Sequence, residues 1–206
     1  MSYCDWSKGN ELLELYHQTE WGIPIKEDIK HFEHLTLESL QSGLSWVLML
    51  KKREIFRACF DNFNYEKIAN YDENDVERIL NTEGMLRCAG KIRAVINNAR
   101  RFSEIVSEFG SFSEYIRRFA GDKVIIYDNH PDGLIPTCNG LSDVISKDLK
   151  KRGFKYLGSI TVYSYLQACG IVNDHGKNCP CFERINQAFP TVQKECDNER
   201  GVMQYT

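Results

Sequence analysis

Long apolar runs are missing from this chain of 206 residues: no stretch approaches the roughly 18 residues that would cross a bilayer. The first residues, MSYCDWSKGNELLELYH, lack a basic region followed by an apolar stretch. No signal peptide is therefore expected, and the chain is expected in the cytoplasm. Neither sign of charge dominates, and a net charge of −3 does not by itself point to a polyanionic partner. No C-x2-C pair occurs, so the eight cysteines carry no strong zinc signature. Without a secretion signal they are expected to be reduced thiols, available for a metal or simply buried. No repeat, low-complexity tract or linker divides the chain, and its length fits one domain with a real core.

What is present is helical periodicity. Residues 28–42 place Ile29, Phe32, Leu35, Thr36 and Leu40 on one side, and Gly43 ends the segment. Ser45 is placed to cap a helix from Trp46 to Phe60, and Asp72 a short one through Leu80. The clearest stripe runs over 91–109, with Ile92, Val95, Ile96, Ala99, Phe102, Val106 and Phe109 stepping by three or four. Ser111 and Glu114 make a capping-box pattern before the next segment. Ser142 opens a helix closed by Gly153, and Ser159 opens one closed by Gly170. Between the segment after Ser111 and Ser142, 121–140 is turn-rich, with KVIIYD as one short strand. A mainly α, compact helical domain is the expectation.

Two cysteine–histidine pairs sit at opposite ends of the chain. His175 and Cys179 are spaced so that one turn brings both to a single ion, whereas twelve residues separate Cys4 from His17. A Cys2His2 set is a closed, structural type of zinc site. If one ion took all four, it would clasp the N-terminal segment to the C-terminal one. Four unrelated polar residues are the alternative.

Three further features bear on function. Basic residues group at 51–53, at Lys91 and Arg93, at 100–101 and over 147–155, as on a phosphate-backbone binder or as solvated helix ends. Residues 84–94, GMLRCAGKIRA, resemble a helix-hairpin-helix, the backbone clamp of many base-excision glycosylases, with a tight turn at Gly90 and a helix starting near Lys91. Cys88 stands where the usual first glycine would be, and a packing corner is the competing picture. Finally, Trp6, Trp21 and Trp46, every tryptophan of the chain, lie with Tyr16 in its first quarter, near Glu38. A carboxylate beside aromatic rings can hold a flipped base. Ordinary core aromatics around a solvated Glu38 would leave the same composition.

Taken together, Cys4-Asp5-Trp6, Tyr16-His17-x-x-Glu20-Trp21-Gly22, Leu37-Glu38-x-x-Gln41-x-Gly43-Leu44-Ser45-Trp46 and Lys51-Lys52-Arg53-Glu54 resemble the bacterial 3-methyladenine DNA glycosylase I family. Gly90-Lys91-Ile92, the Lys150–Lys155 block and Gln167-Ala168-Cys169-Gly170-x-Val172-Asn173-Asp174-His175 carry the resemblance onward, in order, to about residue 181. It implies a helix-hairpin-helix glycosylase-like fold over 1–181, an extension of unknown role over 182–206, and one structural zinc per chain on Cys4, His17, His175 and Cys179. It implies excision of 3-methyladenine from alkylated duplex DNA, with the free base as product, by a monomer that binds no membrane. Trp46 would be the stacking wall, an anionic Glu38 the edge acceptor and Tyr16 a further polar contact. Trp6 and Trp21 would line or support the pocket. Glu38 is the candidate catalytic residue, through base recognition and charge, with a general-base role as the alternative. Gly43 and Leu44 would fill the stack the base vacates, while Gly90 and Lys91 would meet the DNA backbone. The position of a Schiff-base lysine falls on Ile92, so a monofunctional enzyme is expected. Two other classes stay open: a zinc-dependent base hydrolase or deaminase, although Pro180-Cys181 lacks the second cysteine of that pattern, and a non-enzymatic zinc-clasped DNA-binding module.

Overall fold

The computed structural model describes residues 3–128, 130, 135–197 and 200. Helices dominate it. In chain order they are α1 (Glu11–Thr19), α2 (Asp28–Gln41), α3 (Trp46–Cys59), α4 (Tyr65–Ile68), α5 (Glu73–Asn81), α6 (Ala89–Phe109) and α7 (Phe112–Ala120). After strand β1 (Val124–Tyr127) follow α8 (Gly140–Lys151), α9 (Ser159–Ala168), α10 (Pro180–Ala188) and strand β2 (Thr191–Lys194). No helix among the described residues is long and apolar enough to cross a membrane.

Helix α2 is the axis of the molecule and packs against α3, α6, α7 and α9. Every residue from His31 to Leu40 is buried, so the one-sided pattern describes it poorly. Ile29, on the expected apolar side, is 45% exposed, because it precedes the part of α2 that the other helices surround. Buried polar groups need partners. His31 has Tyr165 Oη at 2.7 Å and Ser113 Oγ at 2.9 Å. Glu33 accepts from Arg53 Nε at 2.9 Å and Arg57 Nη2 at 2.9 Å. The Glu38 carboxyl, also buried, has no hydrogen-bond partner among the described residues.

The caps follow local chemistry. Ser45 accepts from Leu48 N at the start of α3, and Asp72 with Asp75 forms a full capping box on α5. Ser111 accepts from Glu114 N, but the Glu114 carboxylate turns to Arg117 instead of completing the box. Helix α8 starts two residues before Ser142, because Asn139 is the cap and Ser142 its reciprocal partner. Gly158, not Ser159, caps α9; the Ser159 hydroxyl is 2.8 Å from Ser142 Oγ.

The expected strand exists as β1 and lies parallel to β2, with Val124 opposite Thr191 and Tyr127 opposite Lys194. A boundary after residue 181 falls inside α10, and the segment beyond it returns to β1 through β2. Several cations of the expected basic face are used internally. Arg53 is 7% exposed and bonded to Glu20 and Glu33, Arg93 pairs with Glu73, and Arg152 with Glu108 and Asp148.

Candidate active site and metal-ligand group

A cavity of about 790 Å³ opens between the α2–α3 corner, the start of the chain and the N-terminus of α9. Trp6, Tyr16, Trp21, Glu38, Gly43, Leu44 and Trp46 all line it. The reason is local. Helix α2 ends in a turn in which Gly43 has φ +81° and Leu44 N donates to Gln41 O at 2.6 Å. That conformation suits glycine, and it turns the chain so that Trp46 opens α3 on the same side as Glu38. Helix α1 brings Tyr16 beside Trp46, with ring centroids 5.3 Å apart and planes at 56°. Trp6 stands edge-on to Trp21 at 5.0 Å.

Polar groups line the cavity beside the aromatic ones, Glu38, Gln41 and Gln167 among them. Burial alone pushes the Glu38 carboxyl up to about 8. At neutral pH the protein by itself therefore favours the protonated form of Glu38. Burial, followed by the nearby Glu38 and Glu20 carboxyls, raises the Tyr16 phenol well above its ordinary value, so Tyr16 is a neutral donor. Tyr16 Oη and Trp46 Nε1 are buried without a hydrogen-bond partner among the described residues.

Beneath this aromatic wall the two cysteine–histidine pairs converge. The ligand atoms of Cys4, His17, His175 and Cys179 all lie within 4.8 Å of one another. His17 Nε2 is 3.0 Å from His175 Nδ1, Cys179 Sγ is 3.6 Å from the former and 3.7 Å from the latter, and Cys4 Sγ is 3.7 Å from His175 Nδ1. Zinc bonds of about 2.3 Å to sulfur and about 2.0 Å to nitrogen span tetrahedral edges of roughly 3.3–3.8 Å. The donor set fits such an ion. His175 Nε2 donates to Trp21 O at 3.1 Å, which leaves Nδ1 unprotonated toward the group. The same imidazole packs edge-on to Trp21 at 4.6 Å, and Trp6 lies against His17 at 5.3 Å. Gly22 permits this approach, since a Cβ there would meet His175 Nε2 at 2.9 Å. The pocket wall and the ligand group are one packed unit.

Gly90 and Lys91 do not line the cavity. Gly90 lies in the first turn of α6 and not in the tight turn expected of it; the turn with φ +77° is at Gly84. Lys91 Nζ, expected on a phosphate, donates to Leu40 O at 2.6 Å and Ser42 O at 2.8 Å. It thereby ties α6 to the carbonyl end of α2, next to Gly43 and Leu44. Ile92 is 1% exposed in the core.

Several lining residues are not expected at the site from sequence, among them Leu13, Thr137, Cys138, the α9 start at 158–161 and Arg200. Gln167 also lines the cavity and donates to Asp174 Oδ2 at 2.8 Å, as does Tyr163 Oη at 2.6 Å. Gln167 lies within a recognisable block, but nothing in its spacing marks it as a pocket residue.

The methyladenine glycosylase family model matches residues 6–183. The chain is 42% identical over 182 residues to DNA-3-methyladenine glycosylase 1 of Escherichia coli strain K12, covering 88% of this chain and 97% of that protein. A crystal structure of 3-methyladenine DNA glycosylase I superposes with a TM-score of 0.80 at 43% identity, over 87% of this chain and 99% of the other. The 3-methyladenine DNA glycosylase I of Staphylococcus aureus, solved for its recognition of 3-methyladenine, matches with a TM-score of 0.78 at 31% identity over 86% and 94%.

Proposed function

The chain belongs to the methyladenine glycosylase family, and on that premise we propose that it hydrolyses the N-glycosidic bond of 3-methyladenine in duplex DNA, releasing the base and leaving an abasic site. The observation that carries the reading is Glu38, a buried carboxyl without a partner among the described residues, facing a cavity walled by Tyr16 and Trp46.

Methylation at N3 gives the base a positive charge and makes it a good leaving group, so discrimination matters more than catalytic power. Ionising Glu38 in its dry site is costly, which is why its pKa is raised to about 8. A cationic base offsets that cost, so that the carboxyl releases its proton to water as the base docks; neutral adenine offers no such compensation. The carboxylate then accepts charge-assisted hydrogen bonds from the base edge. Trp46 supplies a face for stacking, worth on the order of 1–2 kcal/mol for a desolvated cation. The unpartnered donors Tyr16 Oη and Trp46 Nε1 are available to acceptors on the base. Trp6 and Trp21 hold this wall.

Cys4, His17, His175 and Cys179 would hold one zinc ion. Four protein ligands leave no open position for water, so the ion's contribution would be structural. It would join the two ends of the chain under the pocket. The first turn of α6, with Gly90, would present its amides to a backbone phosphate. Lys91 would support the 42–44 turn, from which Leu44 enters the base stack. Buried Ile92 offers no amine, so water is the nucleophile and the enzyme is monofunctional.

The test is incubation of the chain with N-methylated duplex DNA, with chromatography of released bases and electrophoresis of the strand. Free 3-methyladenine with an alkali-labile but unbroken strand is expected. A cut strand, a deaminated base or no release would contradict the reading.

A further inference from the structure

Among the described residues, two ionisable side chains line the cavity, one acidic and one basic: Glu38 and Arg200. Glu38 is 6% exposed, whereas the Arg200 side chain is 56% exposed. The carboxyl is therefore deep and the guanidinium at the mouth. Arg200 lies beyond residue 183, where the family match ends.

Its position is built by several bonds. Arg200 N donates to Cys138 O at 3.2 Å, and Arg200 O accepts from Thr137 N at 3.1 Å and Thr137 Oγ1 at 2.7 Å. The preceding segment is anchored by β2 on β1, by Asn139 Nδ2 donating to Cys196 Sγ at 3.2 Å, and by Gly140 N donating to Asp197 O at 3.0 Å. The approach at Gly140 is close enough that a Cβ there would collide with the Asp197 carboxylate. The Arg200 side chain is held by Cys138 and, through one terminal nitrogen, by Asp143 in the first turn of α8. A guanidinium has five donors in a fork, so these two contacts leave others available.

We infer that Arg200 is a positioning residue that grips a phosphate of the flipped nucleotide at the pocket mouth while Glu38 receives the base. The inference rests on the glycosylase reading. The substrate nucleotide is cationic at its base and anionic at its phosphodiester, and the cavity has within it a carboxyl that ionises against a cationic base and at its rim a guanidinium. A guanidinium beside a cationic base alone would repel it, whereas a guanidinium fork matches phosphate geometry. The segment beyond the family match thus adds a DNA contact to the pocket.

The experiment uses the full chain and three variants, Arg200→Ala, Arg200→Lys and Asp143→Asn. Tryptophan fluorescence reads affinity for free 3-methyladenine. Release of 3-methyladenine from methylated duplex gives kcat and KM, and binding to that duplex is followed over a range of salt. Arg200→Ala should keep the free-base affinity and kcat but raise KM about five- to tenfold near 0.1 M salt. Its log–log salt slope should flatten by about 0.9, the value for one phosphate contact. Arg200→Lys should restore most of that slope, and Asp143→Asn should bind DNA at least as well as wild type. An unchanged slope in Arg200→Ala would overturn the inference, as would tighter DNA binding by it. So would Asp143→Asn reproducing its defect, since Arg200 would then only anchor the segment. Wild type releasing no 3-methyladenine would overturn the glycosylase reading as well, whereas wild-type release with Arg200→Ala indistinguishable from it overturns this inference alone.

Discussion

His17 Nε2 and His175 Nδ1 stand 3.0 Å apart although 158 residues separate them along the chain. Two ring nitrogens that both present lone pairs repel at this distance unless a proton or a cation lies between them. With Cys4 and Cys179 completing the set, a cation satisfies all four donors at once. One zinc per chain is the expected result of elemental analysis on the purified protein. Chelation or Cys179→Ala should lower the melting temperature sharply, because metal binding to a folded site is partly folding energy. Folded, active protein without metal would contradict this.

Glu38 sets a pH dependence of stability. Its folded-state value of about 8 lies above the ordinary 4.5. The folded state therefore holds a proton that the unfolded chain loses first, and stability falls as pH rises from about 4.5 to about 8. Glu38→Gln removes this titration. Denaturant unfolding across pH 5–9 should show the variant gaining on wild type until about pH 8, then running parallel. A constant difference over that range would mean Glu38 is not held as the neutral acid.

A buried ion group near Tyr16 gives a pH dependence of the opposite sign. Burial raises the Glu33 carboxyl, but Arg53 and Lys30 outweigh it and bring it to about 2. Its contribution is present above the ordinary 4.5 and is lost as pH falls through that value toward 2. Arg53→Ala would leave Glu33 with fewer partners and separate Glu20 from the group. A loss of about 3 kcal/mol or more is expected by denaturant titration at pH 7. A loss under about 1 kcal/mol would show the group to be dispensable.

Lys91 links the α6 start to the α2 end through the Leu40 and Ser42 carbonyls. Borohydride should trap no protein–DNA adduct in wild type, because the Schiff-base position is Ile92. Lys91→Ala should reduce excision by loosening the 42–44 turn while leaving binding of the free base within about twofold, a few tenths of a kcal/mol at most. A trapped adduct that vanishes in Lys91→Ala would make Lys91 a nucleophile and contradict this assignment.

The N-terminal half of the pocket is legible in the sequence because its residues are distinctive in type. Tryptophans are few, and Glu38 stands out on a helix whose period is clear. The Cys/His convergence is legible only as two separated pairs, since spacing says nothing of how the chain ends meet. Gly90 is misread because a glycine suits a helix's first turn as well as the turn before it. The protonated state of Glu38 is invisible in sequence, since desolvation depends on α3, α6 and α9 closing around α2. Helix α10 and strand β2 are set by tertiary contacts: β2 is four residues long and gains its role only by pairing with β1. Arg200 has no motif around it, and its place at the pocket mouth follows from that pairing.

The most direct test of the pocket assignment is single-turnover release of 3-methyladenine from methylated duplex DNA at saturating enzyme, comparing wild type with Glu38→Gln and Trp46→Ala. Loss of a charge-assisted hydrogen bond is worth about 1.5–3 kcal/mol, so Glu38→Gln should slow release by about 10- to 150-fold. Trp46→Ala should slow it by about 5- to 30-fold through lost stacking of about 1–2 kcal/mol. Both variants should retain duplex binding. Release by both at the wild-type rate would contradict the placement of the base between Glu38 and Trp46.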